Sequence, residues 1–138
     1  MDEQADAGRF LRPLLLALFF GIFWGSWGYI ANMAAGHLSA LRAAGTQFGL
    51  SVVVTLIFAT AVEQLYLRSE TVPRKLVFAL LLPIGVLFML VSSIHYFQGT
   101  PNVLLTVVPS VSVAAAICLG RILLGIYRGE GAVEDSGP

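Results

Sequence analysis

A chain of 138 residues has the length of one ordinary domain, and its composition identifies the solvent around that domain. Hydrophobic residues make up 57% and charged residues 12%, about half the roughly 25% charge of a soluble protein, so water could not be the main solvent and lipid must be. The formal net charge of +0 argues against a general nucleic-acid or anionic-membrane binder, and the charges that exist gather in the first dozen residues, between Arg68 and Lys75, and in the last dozen.

Residues 1–12 read as a polar N-terminal tail: Met1 to Gly8 is acidic and without periodicity, and Arg9 and Arg12 lead into the first apolar run, residues 13–35. Pro13 suits the first turn of a helix, where its missing N–H is not needed. No charge falls between Pro13 and His37, a run too long for an ordinary soluble helix. Wound as a helix, the run separates its residues by size. Gly21, Gly25, Gly28 and Asn32 line one side, while Phe19, Phe23 and Trp27 form a ridge on another with Phe20 and Trp24 beside it. Glycine costs about 1 kcal/mol in a helix, so three on one stripe predict the close approach of a second helix. The ridge reads as packing or lipid contact, since an aromatic cage needs rings from several directions. Ala34-Ala35-Gly36 resembles a signal-peptide cleavage site, but the apolar run is too long and the leader, with Asp2, Glu3 and Asp6, too acidic.

The second run, residues 41–66, starts with Arg42, Thr46 and Gln47 and ends with Glu63 and Gln64. Gly45 and Gly49 repeat the four-residue small spacing, and Gln47, Ser51 and Thr55 make a polar stripe. The third run, residues 75–97, contains Pro83, which predicts a kink and a freed carbonyl at Ala79. The fourth, residues 101–127, reads as Thr100 at the N-cap and Pro101 at the first helical position, bent at Pro109, with Ser112, Ala116 and Gly120 as a third small stripe. Residues 128–138 form a Gly-rich acidic tail of disordered composition.

Each run exceeds the roughly 20 residues needed to cross a bilayer. The expected fold is therefore an all-α membrane protein, four antiparallel transmembrane helices in an up-down bundle over residues 13–127, with connections of about 5–8 residues between neighbours. Four spans place Arg9, Arg12, Arg68, Arg74, Lys75 and Arg128 on one side and Arg42 alone on the other. The positive-inside rule then puts both termini in the cytoplasm, in a bacterial-type inner membrane. Tyr29 and Tyr96 fall at outer helix ends and Tyr66 and Tyr127 at inner ends, where amphipathic rings settle.

Away from the span ends, where Arg42 and Lys75 stand, only Glu63 and Arg121 are charged, at depths matching within a turn. An ionised group in hydrocarbon costs at least ~2.5–3.5 kcal/mol at mid-depth, so the expectation is an ion pair between the second and fourth helices. Independent snorkelling of both side chains, or a carrier role for Glu63, are the competing readings. The outer end collects Asn32, His37, Arg42, Gln47, Ser92, Ser93, His95, Gln98 and Asn102 in one polar layer. Its two histidines and one arginine, with no acid, would favour an anionic ligand such as a phosphate headgroup; ordinary interfacial polarity explains the same composition. The layer has no carboxylate to complete a metal shell, so neither metal nor cofactor is expected.

Enzyme templates fail: the sequence has no G-x-S-x-G, Walker loop, H-E-x-x-H or C-x-x-C, and the only cysteine is Cys118. No carboxylate lies near His37 or His95 to build an acid–base site. In size the chain is similar to small four-span multidrug transporters, whose first helix carries a buried glutamate; here no carboxylate falls between Asp6 and Glu63. Small flippase-like proteins of polyprenyl-linked glycosyl pathways are similar in size and span count, without a residue motif to carry over. Two roles stay open. One is assembly, as a homo-oligomer or an accessory subunit of a larger membrane partner, through the stripes at Gly21, Gly25, Gly28, Gly45 and Gly49. The other is transport of a lipid-linked or small anionic substrate, with the outer layer as its way in and Glu63 and Arg121 as the inner gate. A cavity joining the outer layer to Glu63 would favour transport; a closed core with an exposed small-residue face would favour assembly.

Overall fold

A computed structural model of the protein describes residues 3–129, with side chains from Leu11 onward. Every regular element among them is helical. Helix α1 spans Glu3–Asn32 and α2 His37–Leu67. Helix α3 runs Val72–Phe97, and α4 Val103–Tyr127. Four helices are long and apolar enough to cross a membrane, and the chain folds as an all-helical integral membrane protein.

The tail expected over residues 1–12 is helical from Glu3. A helix already nucleated in the apolar run propagates outward at little cost, and the stretch before Pro13 contains Glu, Gln and Ala, which are good helix formers. The tail expected over residues 128–138 lies outside the described residues beyond Gly129.

Connections are tighter than expected between α1 and α2. One 3₁₀ turn, Met33–Ala35, and Gly36 make the whole reversal. Gly36 has φ 100° and ψ 154°, a region essentially closed to side-chain-bearing residues. At the end of α3, Gly99 takes φ 69°, its N–H bonds the Tyr96 carbonyl and that of Thr100 bonds the His95 carbonyl. These bonds form a Schellman stop that satisfies otherwise orphaned carbonyls.

The structure adds a detail at Pro83 and corrects the expected cap. Pro83 is accommodated by a π-helical turn, Val77–Leu81, in which the Leu82 N–H donates to the Val77 carbonyl. Widening the turn re-registers the ladder just where proline has no donor to offer. Helix α4 begins at Val103 behind Asn102, with no side-chain cap, and Thr100 is spent elsewhere, on His95.

The glycine stripe of α1 is the closest helix contact. A Cβ added at Gly21 would lie 2.7 Å from Val52 Cγ2, at Gly25 3.2 Å from the Ala44 carbonyl oxygen, and at Gly28 3.2 Å from the Ala43 carbonyl oxygen. At Gly25 and Gly28 backbone approaches backbone, and at Gly21 the side chains of Val52 and Phe48 take the space a Cβ would need. Gly45 and Gly49 have open space where a Cβ would stand, so their expected packing role is not used within the chain. They lie off the α2 face that meets α1, whose contacts come from Ala43, Ala44, Gln47, Phe48 and Val52. The main apolar cluster joins Leu87 and Val91 of α3 to Val107 and Val111 of α4, with Leu50, Val54 and Phe58 of α2 packed against it.

Candidate functional site

Two polar clusters close the end of the bundle where α1 turns into α2. In the first, Asn32, fully buried, donates from Nδ2 to the Gly28 carbonyl and to Thr106 Oγ1, both at 2.8 Å, and accepts the Asn102 N–H at 2.8 Å. Asn102 Nδ2 returns a bond to the Ala31 carbonyl at 2.9 Å, and the Thr106 hydroxyl donates to the Asn102 carbonyl at 2.8 Å. One turn below, Trp27 Nε1 donates to the Leu105 carbonyl at 2.9 Å. These bonds clasp α1 to the start of α4.

The second cluster ties α2, α3 and α4 through His95, whose side chain is sealed from solvent. Ser110 donates to the Val107 carbonyl at 2.9 Å and so must accept from Gln47 Nε2, at 3.1 Å. That orients the Gln47 amide with Oε1 toward His95 Nε2, 2.7 Å away, which fixes the imidazole proton on Nε2. Nδ1 is left to accept the Thr100 hydroxyl at 2.9 Å. Every donor in the chain has one acceptor, so the network has a single direction.

The polar layer expected from the sequence is therefore assembled only in part. Asn32, Gln47, His95 and Asn102 join it, whereas Arg42 and His37 are exposed. His37 Nδ1 is bonded instead to the Tyr29 hydroxyl at 2.8 Å. Both ring nitrogens of His95 are engaged inside the bundle, so an anion site built from the two histidines and Arg42 does not form. Thr100, expected as a helix cap, completes the second cluster, and Thr106 and Ser110 join as residues the sequence reading did not name. The signal was present, since Asn102, Thr106 and Ser110 repeat every four residues on one α4 face.

At the other end the expected ion pair is formed. Arg121 Nε donates to Glu63 Oε2 at 3.2 Å and Nη2 to Oε1 at 3.1 Å, a bidentate fork between α4 and α2. The guanidinium carbon lies 3.9 Å from the centre of the Tyr66 ring, and Lys75 Nζ lies 4.3 Å from the same ring. The tyrosine thus lies against two cations, which its quadrupole attracts. Lys75 is buried and Glu70 pairs with Arg74 at 3.8 Å.

Between the two ends lies a cavity of about 360 Å³. Gln47 and Ser110 border it at the clasped end, and Glu63 and Arg121 at the other. Leu16, Phe20 and Trp24 supply its α1 wall and Val113, Ala114 and Ile117 its α4 wall, over a floor of Leu50, Val54 and Phe58. Leu16 is 52% exposed and Ile117 60%, so the cavity opens sideways between α1 and α4. Hydrogen bonds join those helices from Trp27 onward, at the clasped end. Among the described residues no three His, Cys, Asp or Glu side chains gather as a metal would require.

Fold and site together define a polytopic helical membrane protein with a side-opening apolar cavity that ends on an ion pair. Comparison of the chain with protein-family models, with curated proteins and with solved structures gives no match.

Proposed function

We propose that the protein is a small non-enzymatic transporter or flippase-like protein that takes a lipid-linked or small anionic substrate into the cavity between α1 and α4. The observation that carries this reading is continuity: one cavity of about 360 Å³ touches Gln47 and Ser110 of the polar clusters and Glu63 and Arg121 of the ion pair. Its size lies in the range of ligand sites, and its walls are mostly apolar, with Ser51 and Thr55 of α2 placed along them between the polar groups of the two ends. The bundle is read as antiparallel and up-down, because the α2 partners of Gly21, Gly25 and Gly28 fall from Val52 to Ala43 as α1 rises. With the basic residues inside, both termini face the cytoplasm of a bacterial-type inner membrane and the clasp faces outward.

The test is lipid transfer between leaflets. Liposomes carrying a fluorescent tail-labelled lipid should exchange it faster with the protein than without, and Ala114→Trp, which fills the cavity, should return the rate to the protein-free value. Equal rates with and without the protein contradict the proposal.

Assembly is the second reading, favoured by Gly45 and Gly49 of α2 and Gly120 of α4, beside which no other element among the described residues supplies an atom within 4 Å of an added Cβ. Small residues facing outward let another helix approach closely, from a second copy or a larger membrane partner. A molar mass in detergent equal to that of the monomer would count against it.

A further inference from the structure

We propose that the polar stripe of α2 is a track for the uncharged, hydroxyl-bearing headgroup of a lipid of the diacylglycerol kind, bound inside the cavity by the Ser51 and Thr55 hydroxyls while its chains stay in the bilayer. This rests on the cavity being the substrate site, as proposed above, and assigns the chemical class of the substrate. Gln47, Ser51, Thr55, Ala59 and Glu63 follow at every fourth residue, and all five border the cavity. At a rise of about 1.5 Å per residue the stripe runs about 24 Å along α2, most of the roughly 30 Å thickness of the hydrocarbon core. Ser51 and Thr55 fall about the middle of α2, His37–Leu67, far from both headgroup layers. The opening between α1 and α4 faces lipid, so a headgroup on the track can keep its chains outside.

The two hydroxyls point to a neutral partner. Three others in the chain turn back on the backbone: Ser69 donates to the Leu65 carbonyl, Thr106 to that of Asn102 and Ser110 to that of Val107. Among the described residues neither the Ser51 nor the Thr55 hydroxyl has a hydrogen-bond partner, and a hydroxyl left unmet between apolar walls is unfavourable. A ligand hydroxyl both donates and accepts, as they do, and so can serve the two together. Charge has no such opening. Glu63 and Arg121 already hold each other through two bonds, and Gln47 is bonded to Ser110. All eight acids of the chain, and every Lys and Arg except Arg42, belong to the end of the bundle where the fork lies, so no field of one sign draws an ion there.

The experiment uses the full chain in phosphatidylcholine bilayers with a trace of one of three chain-spin-labelled probes: diacylglycerol, its O-methyl ether, or phosphatidic acid. The three share their chains and differ only at the terminal hydroxyl. The readout is the motionally restricted fraction of the label. The wild type should restrict diacylglycerol more than either of the others, and about fivefold more than the ether, the value of one neutral hydrogen bond that the ether cannot donate. Ser51→Ala combined with Thr55→Val should erase that preference, and Thr55→Ser should keep it. Ala114→Trp should lose restriction of all three probes while leaving the helix content by circular dichroism unchanged. Diacylglycerol and its ether restricted alike by the wild type, or a preference that the double variant keeps, overturns the hydroxyl assignment; restriction still lost in Ala114→Trp then leaves the cavity as a lipid site. Phosphatidic acid restricted more than diacylglycerol overturns the uncharged class. Restriction that Ala114→Trp does not change overturns the cavity as a lipid site, and the proposed function with it.

Discussion

Leucine replacement of Glu63 and Arg121, singly and together, measures what the membrane charge pair contributes. At 3.1 Å and an effective dielectric of about 20, the attraction of two unit charges is ~5 kcal/mol. Neither side chain is fully buried, with 44% of Glu63 and 29% of Arg121 exposed, so screening and desolvation remove most of that. A net coupling of ~1–2 kcal/mol remains, at the upper end of interhelical polar contacts in membranes. Either single replacement breaks the fork and leaves one of its charges without the other beside the apolar cavity, which should cost ~2–3 kcal/mol, less than a charge at mid-bilayer. The double replacement removes both charges and should cost less than the sum of the two singles by the coupling. Unfolding by sodium dodecyl sulfate in mixed micelles, followed by helical circular dichroism, gives all three values. Single losses that add up to the double would show that the two side chains reach water independently and that the fork contributes nothing.

Other positions test other parts of the structure. Gly28→Val should destabilise by ~1–3 kcal/mol, because the new side chain meets the Ala43 carbonyl and Gln47, while Gly45→Val should change stability by less than ~0.5 kcal/mol; equal effects in thermal melts would contradict the assigned faces. Asn32→Leu removes two donors and one acceptor from a buried cluster and should cost ~2–3 kcal/mol by the same unfolding titration; a neutral substitution would mean the clasp carries no stability. Gly36→Ala should cost ~1–3 kcal/mol, because φ 100° with ψ 154° is strained for alanine, and a loss below that would place the turn in another conformation. Nitrogen-15 spectra of His95 should show a protonated Nε2 and a bare Nδ1; the opposite tautomer would reverse the hydrogen-bond chain through Gln47 and Ser110.

How far the sequence could be read depended on whether a residue's neighbours differ from its solvent. Glu63 and Arg121 were legible because a charge in lipid needs a partner and their depths matched. The α1 stripe at Gly21, Gly25 and Gly28 was legible because a side chain absent at regular spacing has few other uses. His37 and Arg42 were misplaced because polarity near a helix end is served equally by a cluster and by water, and only the neighbour Tyr29 decided for His37. The cavity was legible only on its α2 side, where the stripe of Gln47, Ser51 and Thr55 borders it. Leu16, Val113 and Ile117 border it, yet an apolar side chain looks the same in sequence whether it faces lipid, a neighbouring helix or an enclosed space. The π turn before Pro83 was half legible: proline announces the lost bond, but not whether the helix bends or widens to absorb it.

Distances between spin labels on α1 and α4 test most directly whether the two helices are joined at one end and parted at the other. One pair of labels at Ile30 and Leu104 reports the clasped end, and a second pair at Leu14 and Leu124 reports the end beside the ion pair; all four positions are exposed. The clasped pair should give a short, narrow distance distribution and the other pair a longer, broader one. Two equally short, narrow distributions in a bilayer would mean that α1 lies closed along α4 and that the cavity does not exist there.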